Sequence, residues 1–81
     1  MPRYFFDTDN GERQIRDENG IDLPSIGEIG PTTRDLLFDL GHAELLNGKS
    51  RVFTAAVRDE RGLTVYKGSM VLKIEIDNRT R

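Results

Sequence analysis

Turn and stop signals divide this chain into short segments, most of which have the residue patterns of β-strands. Each signal places Asn or Asp close to Gly, a combination that suits the backbone angles of turns and helix ends: Asp9-Asn10-Gly11, Asp17-Glu18-Asn19-Gly20, Asn47-Gly48 and Asp59-Glu60-Arg61-Gly62. Between Pro24 and Asn47 the apolar residues instead recur at a helical spacing. The chain is therefore predicted to contain several short strands and one main helix.

The strand predictions rest on β-branched and aromatic residues. Aromatic side chains fill the first segment, Arg3 to Thr8. A type I′ turn at Asn10-Gly11, with positive φ at both residues, would return the chain as a short polar strand from Glu12 to Arg16, at a sheet edge. After the helix, strands are predicted at Arg51 to Arg58 and Leu63 to Lys67.

The main helix is predicted to run from Thr32 to Leu46, with Pro31 in its first turn and Asn47-Gly48 as its stop. Ser25-Ile26-Gly27-Glu28 has the spacing of a capping box. The glycines and the proline that follow oppose a helix interior, so a short turn near residues 25–29 is expected first. The sequence leaves the position of the first helical residue open.

The fold class that follows is α+β, an antiparallel sheet of four to five strands with one main helix packed on one face. The element order is β-β-α-β-β, and residues 69–77 either continue the preceding strand or form a further C-terminal one. A length of 81 residues suits a single domain spanning 1–81 with a small core. The polar residues 78–81 are expected to fray.

Composition limits the chemistry and the setting. The chain is 36% hydrophobic and 32% charged, which is ordinary for a globular protein. It has no cysteine, which excludes disulfides, thiolate chemistry and Cys-based zinc sites, and favours a cytoplasmic location. No apolar run approaches the roughly 18 residues of a membrane helix, so no membrane is expected as a partner.

The charge balance does not favour nucleic acid as a partner. The net charge is −2, whereas nucleic-acid binders usually carry a basic excess. A local basic strip would still form if pairing of the strands gathered five arginines: Arg3, Arg13, Arg16, Arg51 and Arg58. A solvated surface of mixed charge explains the same residues more simply.

Three acidic residues near the N-terminus partly match the spacing of a calcium-binding loop. Asp7, Asp9 and Glu18 occupy positions 1, 3 and 12 of such a loop, but its position 6 requires glycine and holds Glu12. A hairpin with acidic ends accounts for these residues, so no metal ligand is predicted.

Catalytic and cofactor motifs are also lacking. His42 is the single histidine, and no context supports a serine nucleophile. Gly48-Lys49-Ser50 imitates the end of a phosphate-binding loop, but Ala43 stands where its first glycine belongs. No catalytic or cofactor residue and no cofactor is predicted, although the acidic residues leave a carboxylate pair open as a third hypothesis.

The helix carries the most informative pattern. At about 100° per residue, one apolar stripe should face the sheet: Leu36, Leu37, Leu40 and Ala43. Phe38 and Leu45 fall on the opposite side, with His42 next to them. These three residues are the candidate interface, because an apolar pair left outward on a small domain suits a partner.

The last strand supplies a second candidate surface. Beyond a break or bulge expected at Gly68-Ser69, residues 70–76 alternate apolar and largely polar side chains, which predicts one buried face. If this strand is outermost, its unpaired backbone would suit pairing with a second copy. Lys73 and Glu75 would equally suit a role in discouraging that pairing.

Several motifs together resemble a family of short bacterial domains of unknown function. They are the opening Met1-Pro2-Arg3-Tyr4-Phe5-Phe6, the Asp9-Asn10-Gly11 turn, the segment from Asp17 to Pro24, and Val57-Arg58-Asp59-Glu60-Arg61-Gly62. The resemblance implies a bacterial cytosolic setting and no known activity. This chain departs from the pattern where Gly27, Gly30 and Pro31 interrupt the helix start. The order of elements is also similar to that of HicB-type antitoxin domains, a likeness of layout only.

Three functional hypotheses follow. The first is a non-enzymatic protein-interaction module that self-associates or binds an unknown protein. The alternative is an antitoxin-like or nucleic-acid-linked regulator, which should bind nucleic acid in a salt-dependent way. The third is an enzyme with an unrecognised carboxylate site, which would need a sizeable pocket.

Overall fold

A computed structural model of the protein describes residues 2–45 and 50–75. The elements, in chain order, are β1 (Arg3–Asp9), β2 (Gln14–Ile15), β3 (Ile21–Asp22), a 3-10 turn (Ile26–Glu28), α1 (Ile29–Leu45), β4 (Arg51–Arg58) and β5 (Thr64–Leu72). The α+β prediction is confirmed, because these strands form an antiparallel five-stranded sheet and α1 packs against β4 and β5.

The sheet has the strand order β2-β1-β4-β5, and the short β3 also pairs with β1. β1 pairs with β4 along Phe5–Asp9, while β2 and β3 pair with its opposite ends. β4 pairs with β5 along its full length, Arg51–Arg58. β5 therefore forms one edge of the sheet.

The first hairpin closes differently from the predicted type I′ turn. The described residues with positive φ are all glycines, so Asn10 does not adopt the angle that this turn needs. Instead the N–H of Asn10 donates to the carbonyl of Arg13, and the Asn10 side chain accepts from Glu12 and Arg13. The side-chain acceptor stabilises a longer loop, which shortens the return strand to Gln14–Ile15.

β5 runs without interruption from Thr64 to Leu72. The break or bulge expected at Gly68-Ser69 is therefore wrong, and residues 69–72 continue the same strand. The irregularity lies instead where β4 passes from Val57 to Arg58. Residues 73–75 are outside the strand, and the rest of the predicted run, with the tail 78–81, lies outside the described residues.

α1 begins at Ile29, directly after the 3-10 turn and earlier than the predicted Thr32. Pro31 is still in the first turn, where backbone N–H groups have no intrahelical acceptor and a proline removes nothing. The predicted capping box is wrong, because the Ser25 side chain makes no capping hydrogen bond and its backbone carbonyl accepts from Glu28 instead. The predicted stop at Asn47-Gly48 lies outside the described residues.

The buried face of α1 differs from the prediction at its C-terminal end. Leu37 is buried, and Leu36 and Leu40 pack partly buried against the core. Ala43 is exposed, so the prediction that it faces the sheet is wrong. The face continues from Leu37 through positions four and seven residues later, where Gly41 is buried and Glu44 is partly buried.

The core lies between α1 and one face of the sheet, in two clusters. The first contains Tyr4, Phe6, Leu23, Ile29 and Val57, and the second contains Leu37, Phe53 and Ala55. The opposite face of the sheet carries no helix among the described residues. Within 2–45 and 50–75, no helix has the length and apolarity needed to cross a membrane.

Candidate functional site

The first Asp-Glu-x-Gly motif is a structural element of the sheet. Oδ1 of Asp17 accepts the N–H groups of Asn19 at 3.1 Å and Gly20 at 3.0 Å, and Oδ2 accepts the N–H of Phe6 at 3.0 Å. Burial raises the pKa of Asp17, but these three donors outweigh it and the net pKa is lowered. The Asp17 carboxylate thus accepts a hydrogen bond from β1 at Phe6, which lies between the part of β1 that pairs with β3 and the part that pairs with β2.

The second Asp-Glu-x-Gly motif builds a similar turn between β4 and β5. Oδ1 of Asp59 accepts the N–H groups of Arg61 at 2.9 Å and Leu63 at 3.0 Å. The bond from Leu63 is the main reason that the pKa of Asp59 is lowered. Gly62 has a φ of 86°, and Gly20 in the first motif has a φ of 73°, so both turns use glycine for a left-handed conformation.

An ion pair connects β1 to β4 on the face of the sheet without a helix. Nε of Arg58 lies 2.6 Å from Oδ2 of Asp7, and Nη2 lies 3.0 Å from Oδ1. The same Nη2 donates to the carbonyl of Asp17, and the guanidinium lies 5.0 Å from the centre of the Phe5 ring. The hydrogen bond from Arg58 is the main reason that the pKa of Asp7 is lowered.

The residues of the calcium pattern serve other purposes. Asp7 is paired with Arg58, as described above, and Asp9 accepts the N–H of Gly11 at 2.7 Å and the side chain of Gln14 at 3.3 Å. Glu18 is exposed. Across the described ranges, no group of three or more possible metal ligands comes together.

Arg51 connects three elements. Its side chain is only 10% exposed, with Nη2 at 2.8 Å from Glu12 and Nε at 3.1 Å from Glu44. The β1–β2 hairpin, α1 and β4 are therefore joined by charge-assisted hydrogen bonds.

The five arginines do not form a free basic strip. Arg3, Arg51 and Arg58 are each in an ion pair with an acidic side chain. Arg13 and Arg16 are exposed on or next to the β1–β2 hairpin. Three of the five arginines are therefore held by carboxylates, and the nucleic-acid-linked alternative stays a hypothesis.

Phe38 lies on the flank of α1 that faces the β5 edge. Its side chain is 57% exposed and lines a cleft of about 220 Å³ between α1 and β5. The other lining residues include Thr33, Arg34, Leu37, Tyr66, Gly68 and Met70. His42 is exposed and does not line the cleft. The side chain of Leu45 lies outside the described part of the structure, so the interface of Phe38, His42 and Leu45 stays a prediction.

The outer side of β5 continues from this cleft. No other described strand pairs with it, so half of its backbone donors and acceptors point away from the sheet. Lys67 is its single charged residue, and Val71 is 69% exposed. We call the outer edge of Thr64–Leu72, together with Phe38, the β5 surface.

The two charged residues that could discourage strand pairing at this edge lie outside β5. Lys73 and Glu75 lie beyond the end of β5, and Nζ of Lys73 lies 3.0 Å from Oε1 of Glu75. Both side chains are exposed. Their charges therefore neutralise each other outside the paired part of the strand.

Gly68 forms the floor of the cleft at the middle of β5. A Cβ atom at this position would lie 3.0 Å from Cγ2 of Thr33 and 3.5 Å from Cδ1 of Leu37. The lack of a side chain thus allows α1 to approach the edge strand closely. Gly30 of α1 also lies close to β5, because a Cβ atom at Gly30 would lie 3.4 Å from the hydroxyl of Tyr66.

A wider groove of about 700 Å³ lies on the face of the sheet without a helix. Its floor includes the small side chains of Thr54, Ala56 and Ser69. Asp7 and Lys67 both lie opposite Ala56, on either side of it, so their backbones are about 10 Å apart. Asp7 is bound to Arg58, so its carboxylate is not free to act together with Lys67.

Sequence reasoning identified Phe38 and the last strand as separate candidates. The structure places Phe38 beside Met70 of that strand and adds Tyr66, from the part of β5 that precedes the predicted run. The available signal was the glycine in the middle of a β-branched and aromatic strand, which often marks a close approach by another element.

A family model described as a domain of unknown function (DUF6894) matches residues 3–71 of the chain. No curated protein and no solved structure matches it.

Proposed function

We infer that this chain, which belongs to the DUF6894 family, is a non-enzymatic protein-interaction module that binds its partner through the β5 surface. The observation that carries this proposal is the open edge of β5, which is nine residues long and contains one charge. Natural sheets usually shorten, charge or cover such edges, because an exposed edge pairs readily with another strand.

An added strand would gain affinity from two sources. Backbone hydrogen bonds to β5 would provide direction, and side chains entering the cleft beside Phe38 would provide apolar burial. Phe38 and Tyr66 are both large and partly exposed, and aromatic residues of this kind contribute most to binding when a partner covers them.

The acidic residues support a role without catalysis. Asp7, Asp17 and Asp59 have lowered pKa values, and hydrogen bonds that hold turns or strands together account for this. A general acid or base instead needs a carboxylate with free access to substrate and a pKa near the working pH.

The test compares two double variants with the same change in charge. Val65→Lys/Val71→Lys places lysines on the β5 edge, where both valines are exposed. Ile15→Lys/Ile21→Lys places them on β2 and β3, where both isoleucines are also exposed. Tagged wild type and both variants would be used to capture proteins from a lysate of the source organism, with quantification by mass spectrometry.

We expect the β5 variant to lose at least 90% of specifically captured protein, including any untagged copy of this chain, and the control to retain it. Equal capture by all three proteins would overturn the assignment of the β5 surface. Circular dichroism spectra of both variants should match that of the wild type, because all four positions are exposed.

A further inference from the structure

We propose that the partner of the β5 surface is a second copy of this chain, with the two β5 strands antiparallel and Gly68 opposite Gly68. This proposal rests on the proposed function and identifies its partner. The sheets of the two copies would join into one continuous sheet across a two-fold axis.

Symmetry is the first argument for a second copy. A two-fold axis brings one surface against itself, and an antiparallel strand pair has this symmetry. Gly68 is the middle residue of Thr64–Leu72, so an axis at Gly68 pairs the whole strand with its counterpart. Any other register leaves part of the edge unpaired.

Charge is the second argument, because it separates this register from a neighbouring one. With Gly68 on the axis, Lys67 lies opposite Ser69 of the other copy. An axis at Lys67 would place two lysines directly opposite each other, which is unfavourable. The only charge on the strand is therefore compatible with self-pairing in the centred register.

The shape of the cleft is the third argument. Directly opposed residues of an antiparallel pair share a face, so both α1 helices would lie on the same side of the joined sheet. On that side Tyr66 would face Met70 of the other copy, and the two glycines would leave a gap between these pairs. Phe38 and Gly68 line the same cleft, and Phe38 is 57% exposed, so one Phe38 from each copy would fill this gap.

The area that the two copies would bury indicates which class of interface this is. The joined edge would be about 30 Å long for nine residues, and the strand and helix together present a strip about 15 Å deep. This gives roughly 450 Å² per copy, or about 900 Å² in total, which is typical of weak and transient interfaces. We therefore expect a dimer with a dissociation constant in the micromolar range or weaker.

The first measurement is light scattering of the purified wild type between about 10 µM and 1 mM. We expect mass to rise towards that of a dimer with concentration. Val65→Lys/Val71→Lys should weaken association at least tenfold, whereas Ile15→Lys/Ile21→Lys should change it less than twofold. A wild type that stays monomeric up to 1 mM overturns the second copy as partner.

The second measurement determines the register. Because the chain has no cysteine, Val52→Cys gives a single spin-label site on β4, where Val52 is exposed and lies outside the proposed contact. Val52 lies opposite Val71, so an axis at Gly68 places the two labelled backbones about 25 Å apart. Axes at Ser69 or Lys67 would place them about 20 or about 31 Å apart.

A distance near 25 Å supports the centred register, and a dimer with a distance beyond about 35 Å overturns pairing through β5.

The proposed dimer and the proposed interaction module can be overturned separately. If the wild type is monomeric but captures other proteins in a way that depends on the β5 edge, the dimer is overturned. The interaction module is then supported, with a different partner. A monomer with unchanged capture by the β5 variant removes both.

Discussion

At the scale of single residues, acceptors on side chains replace strand partners that the backbone does not supply. Asp17 illustrates this, because one carboxylate accepts three N–H groups, including that of Phe6 in β1. Without it, a partly buried donor in the gap between β2 and β3 would lack an acceptor, at a cost of about 1–3 kcal/mol. The acidic segment Asp17-Glu18-Asn19-Gly20 is thus explained by folding.

Asp17→Asn tests this role. The substitution keeps the size of the side chain but replaces one acceptor oxygen with an NH₂ group, so either Phe6 or the Asn19–Gly20 turn loses its acceptor. We expect the free energy of unfolding to fall by about 1–3 kcal/mol, measured by urea denaturation. Glu18→Gln, which removes the same charge from an exposed neighbour, should change it by less than about 0.5 kcal/mol. Equal effects of both variants would contradict the role of the hydrogen bonds.

At the scale of elements, the approach of α1 to β5 depends on small residues. Gly68 allows the contact with Thr33, whose buried hydroxyl donates to the carbonyl of Ile29 at 2.8 Å. The helix therefore packs close to an edge strand and leaves Phe38 beside the edge.

Gly68→Ala is expected to destabilise the fold by about 1–3 kcal/mol, because its new methyl group would press against Cγ2 of Thr33. Thr33→Ser removes that methyl group and keeps the hydroxyl. In the Thr33→Ser background the penalty of Gly68→Ala should fall by at least about 0.5 kcal/mol, as measured by a double-mutant cycle in urea. Additive effects would show that the two positions do not compete for space.

At the scale of the whole molecule, stability depends on carboxylates that join distant parts of the chain. Asp7 binds Arg58 across 51 residues of sequence, and Glu12 binds Arg51 across 39. Each of these ion pairs joins β4 to the β1–β2 hairpin. Together with the buried core, they hold the sheet together.

Acid should therefore weaken the fold in a defined range. The folded-state pKa values of Asp7, Asp17 and Asp59 lie below their unfolded values, so the unfolded chain binds more protons. Their stabilisation is complete above the unfolded value of about 4 and disappears as the pH falls through the lowered folded values. Urea midpoints should be constant between pH 7 and about 5 and should decrease between about 4 and 2. A midpoint unchanged at pH 3 would contradict this.

The control for the acid experiment is Asp17→Asn, which removes one of the three carboxylates. Its midpoint should depend less steeply on pH than that of the wild type below about pH 4. The same slope in both proteins would show that Asp17 does not contribute.

Local signals predicted the main elements well. The glycines at the ends of Asp17-Glu18-Asn19-Gly20 and Asp59-Glu60-Arg61-Gly62 do adopt positive φ, and the main helix lies between Pro24 and Asn47, as its apolar spacing predicted. Predictions failed where two local rules competed. Asn10 uses its side chain to close a longer loop, and the 3-10 turn at Ile26–Glu28 leads directly into α1.

The sequence by itself determined the α+β class, the presence of one main helix and the positions of most turns, because backbone angles and apolar periodicity depend on neighbouring residues. Only the tertiary structure decided that Asp17 completes β1, that Phe38 lies beside β5 and that Gly68 forms the cleft floor. These contacts join residues that are 11 to 35 positions apart in the sequence. Their geometry depends on how α1 packs across the sheet.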